Sequence, residues 1–151
     1  MDNIRMVKVS SDHNDFVKLV KLLDAELAVR DGDDHAFYDQ FNKLTHIKHA
    51  LVLYSQKEAL GCGAIKEFDA ESTEVKRMFV KPECRGKALA GRILNELEKW
   101  AKDLGYNRCI LETGFNQPEA IALYKKCNYQ VIENYGQYAG VSNSICFEKV
   151  L

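Results

Sequence analysis

Several features that mark common protein classes are missing from this 151-residue chain. No apolar run approaches the ~20 residues that a helical membrane span requires, so the sequence predicts no contact with a membrane. Lys and Arg number 21 against 22 for Asp and Glu, and this balance argues against a protein that covers nucleic acid by general electrostatics. The amino terminus has neither an apolar leader nor an Arg- and Ser-rich amphipathic pattern, so a cytoplasmic location is expected.

The cysteines and histidines also lack the spacing of a disulfide framework or a metal site. The five cysteines are odd in number and contain no C-x-x-C pair, so we interpret them as small buried side chains. His46 and His49 are three residues apart, but no cluster of carboxylates accompanies them. The sequence therefore predicts no metal ion.

What is present is an order of strand and helix patterns typical of one mixed α/β domain over residues 1–151. Strand patterns lie at residues 3–10, 49–56, 59–68, 72–80, 108–113, 129–134 and 144–150. Helical patterns lie at residues 15–30, 35–44, 89–104 and 116–127. We predict a central mixed sheet of about seven strands flanked by about four helices, with antiparallel neighbours among the consecutive strands and parallel neighbours in the alternating second half.

Two of these elements give expectations about individual side chains. On the strand at 72–80, period-two alternation places Val75, Arg77 and Phe79 on one face and residues 74, 76, 78 and 80 on the other. In the helix at 89–104, the buried stripe is predicted to consist of Leu89, Ile93, Leu97, Trp100, Ala101 and Leu104. Gly105 is a plausible cap for the end of this helix.

The junction between these two elements, "VKPECRGKALAGRIL", has the character of an anion site. Pro82 ends the strand, and the helix that follows offers free backbone N–H groups at its positive end. A diphosphate reaches such groups only where side chains are small, as at Gly86, Ala88, Ala90 and Gly91. The alternative is that these small residues only let the helix pack close to the sheet. A P-loop is excluded, because Lys81 and Ala88 stand where that motif requires glycine and Ser or Thr.

The segment "RMFVKPECRGKALAGRIL" resembles the acetyl-CoA loop of the GCN5-related N-acetyltransferase (GNAT) superfamily, whose pattern is Arg/Gln-x-x-Gly-x-Gly/Ala. Arg85, Ala88 and Ala90 occupy its three defined places, with alanine for the usual middle glycine. The segment "NQPEAIALYKKCNY" resembles the second family signature, in which Gln117 replaces asparagine and Tyr124 matches. The tail "YGQYAGVSNSICFEKVL" resembles that of small bacterial members. The resemblance implies a GNAT-like acyl-CoA N-acyltransferase fold, with acetyl-CoA as co-substrate.

The resemblance also implies roles for particular residues. Coenzyme contacts are expected from Met78, Phe79, Val80, Arg85, Gly86, Lys87, Ala88, Leu89, Ala90, Gly91, Gln117 and Tyr124. Glu74 aligns with the general base of the histone acetyltransferases, and the backbone N–H of Met78 is expected to meet the thioester oxygen. The Tyr124 hydroxyl is expected near the sulfur. Glu67, Glu112 or an ordered water remain alternatives to Glu74, and a core-packing role remains an alternative for Tyr124.

The acceptor is the part that the sequence defines least. Tyr135 and Tyr138 lie in a loop between the last two strands and are predicted to line the acceptor site. Asp31, Asp33 and Asp34 would suit a cationic acceptor if they face that site, although helix termination is the alternative explanation. We expect acetyl transfer to a primary amine of a small metabolite or amino acid, by a monomer or homodimer. A non-catalytic acyl-CoA-binding module and a protein-lysine or N-terminal acetyltransferase are the alternatives.

Overall fold

Seven strands form one mixed sheet in the computed structural model, which describes residues 3–31 and 47–151. The strands are β1 Ile4–Val9, β2 His49–Ser55, β3 Glu58–Glu67, β4 Ser72–Val80, β5 Arg108–Gly114, β6 Gln130–Ile132 and β7 Ser144–Val150. Their spatial order is β1-β2-β3-β4-β5-β7-β6. The predicted seven-stranded mixed sheet is confirmed, but β4 and β5 form its one parallel pair in the described ranges, because β7 lies between β5 and β6.

Three helices flank the sheet in the described part of the chain: α1 Asn14–Asp31, α2 Leu89–Asp103 and α3 Pro118–Lys126. Short 3-10 turns occupy Pro82–Cys84 and Gly136–Tyr138. The further helix expected at residues 35–44 falls outside the described residues. None of the described helices combines the length and the apolar character needed to cross a bilayer.

Helix α2 covers one face of the sheet, and α1 covers the other. The predicted stripe of α2 is buried at Leu89, Ile93, Leu97 and Ala101 and half-buried at Trp100. Leu104 is 44% exposed, because the helix has already ended before it. Gly105 follows with φ +96°, a left-handed conformation that suits glycine at a helix end. A Cβ atom at Gly63 would lie 2.8 Å from a Leu97 methyl carbon, so a side chain there would force the packed side chains of α2 to shift.

The opposite face has its own buried cluster, in which Phe16, Leu19, Val20 and Leu23 of α1 lie against β2, β3 and β4. All five cysteines are free thiols, four are buried and Cys127 is half-buried, in agreement with their interpretation as small apolar side chains. The sheet is therefore enclosed on both faces, as its largely apolar strands require.

A β-bulge in β4 overturns the simple alternation expected for that strand. Cys62 pairs with Phe79 and Ala64 pairs with Lys76, so two residues of β4 stand opposite the single residue Gly63. Arg77 is one of the two and has φ +59°. The extra residue reverses the faces beyond it: Val75 belongs to the cluster under α2, whereas Phe79 belongs to the cluster under α1.

The two parallel strands diverge soon after they meet. Their pairing covers only Ser72 to Glu74 of β4 and Arg108 to Ile110 of β5. Beyond this point β4 continues to Val80, while β5 continues to Gly114 and pairs there with β7 only. The edge of β4 that faces β5 is therefore left without a strand partner over residues 75–80.

Candidate active site

The gap between the diverging strands is a cavity of about 540 Å³. Its walls are residues 74–80 of β4, residues 112–114 of β5, one face of α1, the loop before α2, and α3. The cavity has a closed end, where the strands still pair at Glu74, and an open end, where the chain leaves β4 after Val80. Different kinds of chemical group line these two ends.

The open end consists mainly of backbone. The amide N–H groups of residues 86–91 meet no hydrogen-bond acceptor among the described residues. Ala88, at the cap position of α2, has φ 61°, and Gly86 has φ 80° with open space where a Cβ atom would be. A left-handed turn of small residues thus exposes a row of donors before a helix N-terminus, which is a geometry that binds phosphate groups.

Arg85 shapes this loop from its base. Its Nε atom donates to the carbonyl oxygen of Val80 at 2.9 Å, and its Nη2 atom lies 2.9 Å from a carboxylate oxygen of Glu26 on α1. Arg85 lines the cavity, but the side chain of Lys87, the other predicted loop cation, is not part of the cavity wall. The guanidinium therefore ties the loop both to the end of β4 and to α1.

Gln117, immediately before α3, presents a buried donor to the same cavity. Its side chain is 8% exposed, and its Oε1 atom accepts a hydrogen bond from Nη1 of Arg30 at 3.1 Å. The Nε2 atom of the same amide is buried and has no hydrogen-bond partner among the described residues. Buried donors without a partner are rare, so this one is available to a ligand that supplies an acceptor.

Tyr124, on α3, lies in the cavity wall between the two ends. It is 7% exposed, and its ring contacts those of Tyr129 and Phe147 with centroids 5.8 and 5.9 Å away. Burial raises the pKa of the Tyr124 phenol, and the charges of Glu112 and Cys127 add to this effect. The hydroxyl therefore stays protonated at neutral pH and can donate a hydrogen bond to a group in the cavity.

The closed end consists of ionisable side chains. The Tyr135 hydroxyl donates to Oε2 of Glu74 at 2.6 Å, while Nζ of Lys76 lies 3.7 Å from Oε1 of the same carboxylate. Burial lowers the pKa of Lys76, against the charges of Glu74 and Glu112, which raise it. Burial, with the charge of Glu74, raises the pKa of Tyr135. One oxygen of Glu74 is thus engaged by a neutral phenol and the other faces an amine.

Aromatic rings hold this arrangement in place. Tyr135 contacts Phe68 edge-on at 5.1 Å and Tyr138 at 5.8 Å. Of the two tyrosines predicted to line the acceptor site, Tyr138 is in the cavity wall, whereas Tyr135 lies behind Glu74 and reaches the cavity only through that carboxylate. A role in binding a cationic acceptor was considered for Asp31, Asp33 and Asp34. Residues 33 and 34 lie outside the described residues, as does the side chain of Asp31.

Sequence reasoning did not identify α1 as part of the cavity. The lining residues Leu23, Glu26, Leu27 and Arg30 follow the i, i+3, i+4, i+7 spacing of one helical face. This spacing predicts a buried stripe. The charged residues Glu26 and Arg30 within that stripe are the signal in the sequence that could have indicated a functional face. In the described ranges no group of His, Cys, Asp and Glu side chains is arranged to hold a metal ion. His49 packs against Trp100 instead, with ring centroids 5.0 Å apart.

A sheet that opens between its parallel strands, with a small-residue loop at the open end, is the arrangement of an acyl-CoA N-acyltransferase. Residues 16–129 match the model of the Acetyltransferase (GNAT) family, and the chain belongs to that family. It is 32% identical to the IAA acetyltransferase of Azospirillum brasilense, with all of both chains covered. The resemblance inferred from the two motifs is thereby confirmed.

Solved structures agree with this assignment. A Klebsiella pneumoniae protein assigned to the acyl-CoA N-acyltransferases has a TM-score of 0.83 at 29% identity, covering 98% of this chain and 97% of that one. The PaiA N-acetyltransferase of Thermoplasma acidophilum, solved in complex with coenzyme A, has a TM-score of 0.72 at 19% identity, covering 98% and 99%. At 19% identity the second likeness shows a shared fold.

Proposed function

We propose that this chain transfers an acetyl group from acetyl-CoA to a primary amine of a small metabolite or amino acid. The observation that carries the proposal is the cavity between β4 and β5, because loop amides, Tyr124 and Glu74 all line it. Acetyl-CoA supplies an acetyl group activated as a thioester. The chain must then bind the coenzyme, accept a proton from the amine and stabilise the departing thiolate.

The residues at the open end fit the coenzyme. The amides of residues 86–91 would hold the diphosphate, and the orphaned Nε2 donor of Gln117 would bind an acceptor oxygen of the same molecule. The backbone of Met78, Phe79 and Val80, on the edge of β4 that has no strand partner toward β5, would hold the pantetheine arm, with the N–H of Met78 directed at the thioester oxygen. Several structural neighbours were solved with this kind of ligand, among them one with acetyl-CoA and one with coenzyme A.

Glu74 is proposed as the group that accepts the proton of the amine, directly or through water. Its Oε2 atom accepts the hydrogen bond of Tyr135, so the proposed proton acceptor is Oε1, which lies 3.7 Å from Nζ of Lys76. Two carboxylates, Glu74 and Glu112, line this end of the cavity beside the one amine of Lys76, and this excess of acidic groups favours an acceptor that arrives as an ammonium ion.

Tyr124 is proposed to donate a hydrogen bond to the departing thiolate. Its pKa is raised by burial, and an unperturbed phenol already holds its proton more tightly than a thiol does. Complete proton transfer to sulfur is therefore unfavourable, whereas a hydrogen bond to developing negative charge stabilises the transition state.

The alternatives predict different outcomes in an acceptor screen. The test measures release of the coenzyme thiol from acetyl-CoA with amino acids, polyamines, amino sugars and lysine peptides, and it includes IAA because of the name of the Azospirillum relative. Sustained release with a small amine supports the proposal, and release with peptides alone would favour a protein acetyltransferase. Coenzyme binding without turnover would favour a sensing module. We further propose a cytoplasmic location, in keeping with the five free thiols.

A further inference from the structure

We propose that Arg30, in the last turn of α1, is a positioning residue for the coenzyme: it fixes the Gln117 side-chain amide with its N–H groups toward the cavity. This inference rests on the proposed coenzyme site and assigns part of that site to a helix outside both sequence motifs. Arg30 and Gln117 are 87 positions apart in the chain, and the fold brings them into direct contact.

The orientation of the amide follows from the chemistry of its neighbour. A guanidinium has five N–H donors and no acceptor, so only the carbonyl oxygen of Gln117 can face it. Nη1 of Arg30 lies 3.1 Å from that oxygen and 2.8 Å from Oε2 of Glu119. The NH₂ group of Gln117 must then point away from Arg30, and its nitrogen is the buried atom without a partner in the cavity wall.

The remaining contacts of Arg30 hold it in this position. Nδ2 of Asn116 donates to its backbone oxygen at 3.2 Å, which joins the end of α1 to the turn before α3. The Glu119 carboxylate is 72% exposed, so its ion pair with Arg30 is screened by solvent and contributes little to stability. The carboxylate still offsets part of the guanidinium charge beside the Gln117 amide.

The ligand group that matches this donor is an oxygen acceptor on the coenzyme. The coenzyme offers two such groups, the phosphates and the amide carbonyls of the pantetheine arm. Gln117 immediately precedes α3, which carries Ala120, Leu123 and Tyr124 into the cavity wall, so this donor lies along the wall that the arm would follow. The expected partner is therefore a pantetheine carbonyl oxygen.

Isothermal titration of the full chain with coenzyme A tests the proposal. Gln117→Glu keeps the oxygen that Arg30 binds but replaces the NH₂ group with a second carboxylate oxygen, and it should weaken binding at least tenfold. Arg30→Met leaves the amide free to rotate and should weaken binding roughly three- to tenfold, the range of one hydrogen bond. Lys21→Met is the matched control, since it removes the same charge from an exposed position of the same helix, and it should bind like the parent.

A double-mutant cycle separates orientation from charge. If Arg30 acts through Gln117, Arg30→Met should have little further effect in a Gln117→Ala background. Additive losses, or equal affinities of Arg30→Met and Lys21→Met, would overturn the proposal. If Arg30→Met does not fold, the test rests on Gln117→Glu. An affinity of that variant for coenzyme A equal to that of the parent would then overturn the proposal.

Fragments of the coenzyme identify the group that is bound. Gln117→Glu should weaken 4′-phosphopantetheine and leave 3′,5′-ADP unaffected, whereas the reverse result would overturn the assignment to a pantetheine carbonyl. Failure of the parent to bind coenzyme A at all would instead refute the proposed function. If the parent binds coenzyme A and Arg30→Met binds it equally well, the role of Arg30 is refuted and the proposed function is not.

Discussion

The two ends of the cavity are built in opposite ways. The open end takes its donors from one continuous stretch of backbone, residues 86–91, and needs side chains there mainly to be small. The closed end takes ionisable side chains from three separate segments: Glu74 and Lys76 on β4, Glu112 on β5, and Tyr135 and Tyr138 in the loop before β7. A backbone site depends on local conformation and bulk, whereas a side-chain site depends on exact contacts between distant residues. The ends should therefore respond to different kinds of substitution.

The largest effect is expected from bulk and negative charge in the loop. Ala88→Glu places a carboxylate in the proposed diphosphate site, and it should abolish the rise in Tm that we expect acetyl-CoA to produce in the parent. Ala88→Gly is the matched control: φ at this position is 61°, which glycine adopts without strain, so the variant should bind at least as tightly as the parent. A folded Ala88→Glu variant with an unchanged Tm shift would remove this loop from the coenzyme site.

A smaller effect, confined to turnover, is expected at Tyr124. Tyr124→Phe keeps the packing against Tyr129 and Phe147 and removes the hydroxyl alone. The kcat with the best acceptor should fall roughly ten- to a thousandfold, the range of one charge-stabilising donor, while the Kd for acetyl-CoA stays close to that of the parent. An unchanged kcat would assign Tyr124 to core packing.

At Glu74 the loss should depend on pH. A primary-amine acceptor with a pKa near ~10 is almost entirely protonated at pH 7, so Glu74→Gln should lower kcat/KM there by roughly tenfold or more and recover toward pH 10, as solvent deprotonates the amine. The amide keeps an acceptor for the Tyr135 hydroxyl, so the contact at 2.6 Å can persist. Parallel pH profiles with equal kcat for the parent and the variant would rule out Glu74 as the base. If only the KM for the acceptor rises, the role of Glu74 is to attract the ammonium ion.

The smallest effect is expected at Tyr54, which lies outside both ends of the cavity. Ionisation of this residue sets the upper pH at which the parent and Glu74→Gln can be compared. Tyr54, on β2, donates to Asp15 of α1 at 2.6 Å, and burial together with this contact raises the pKa of Tyr54 to about 12. The unfolded phenol ionises near pH ~10, so the stability from this group is complete below pH 10 and is lost as the pH rises toward 12. Thermal melts from pH 9 to 12 should show a shallower alkaline decline in Tm for Tyr54→Phe than for the parent. Equal slopes would exclude Tyr54 as a source of that decline.

The same contrast explains what could be predicted from the sequence. The strands, the three described helices and the loop at 85–91 follow from local periodicity and spacing, which a single sequence records directly. The bulge at Arg77 could not be predicted, because a positive φ there depends on the pairing of β4 with β3 and is accompanied by a contact between Arg77 and Asp24 of α1 at 2.8 Å. The hydrogen bond between Tyr135 and Glu74 joins residues 61 positions apart and leaves no local pattern. The position of Arg30 against Gln117 was hidden for the same reason.

The central claim is that one cavity carries out both binding and transfer. The most direct test quantifies free coenzyme thiol and N-acetylated product in the same reaction, started from [¹³C₂]acetyl-CoA and the best amine of the screen. We predict one labelled N-acetyl group for each thiol released by the parent, a much lower rate with unchanged stoichiometry for Tyr124→Phe, and neither product for Ala88→Glu. Thiol release without N-acetylated product, or tight coenzyme binding with no release for any amine, would contradict the account.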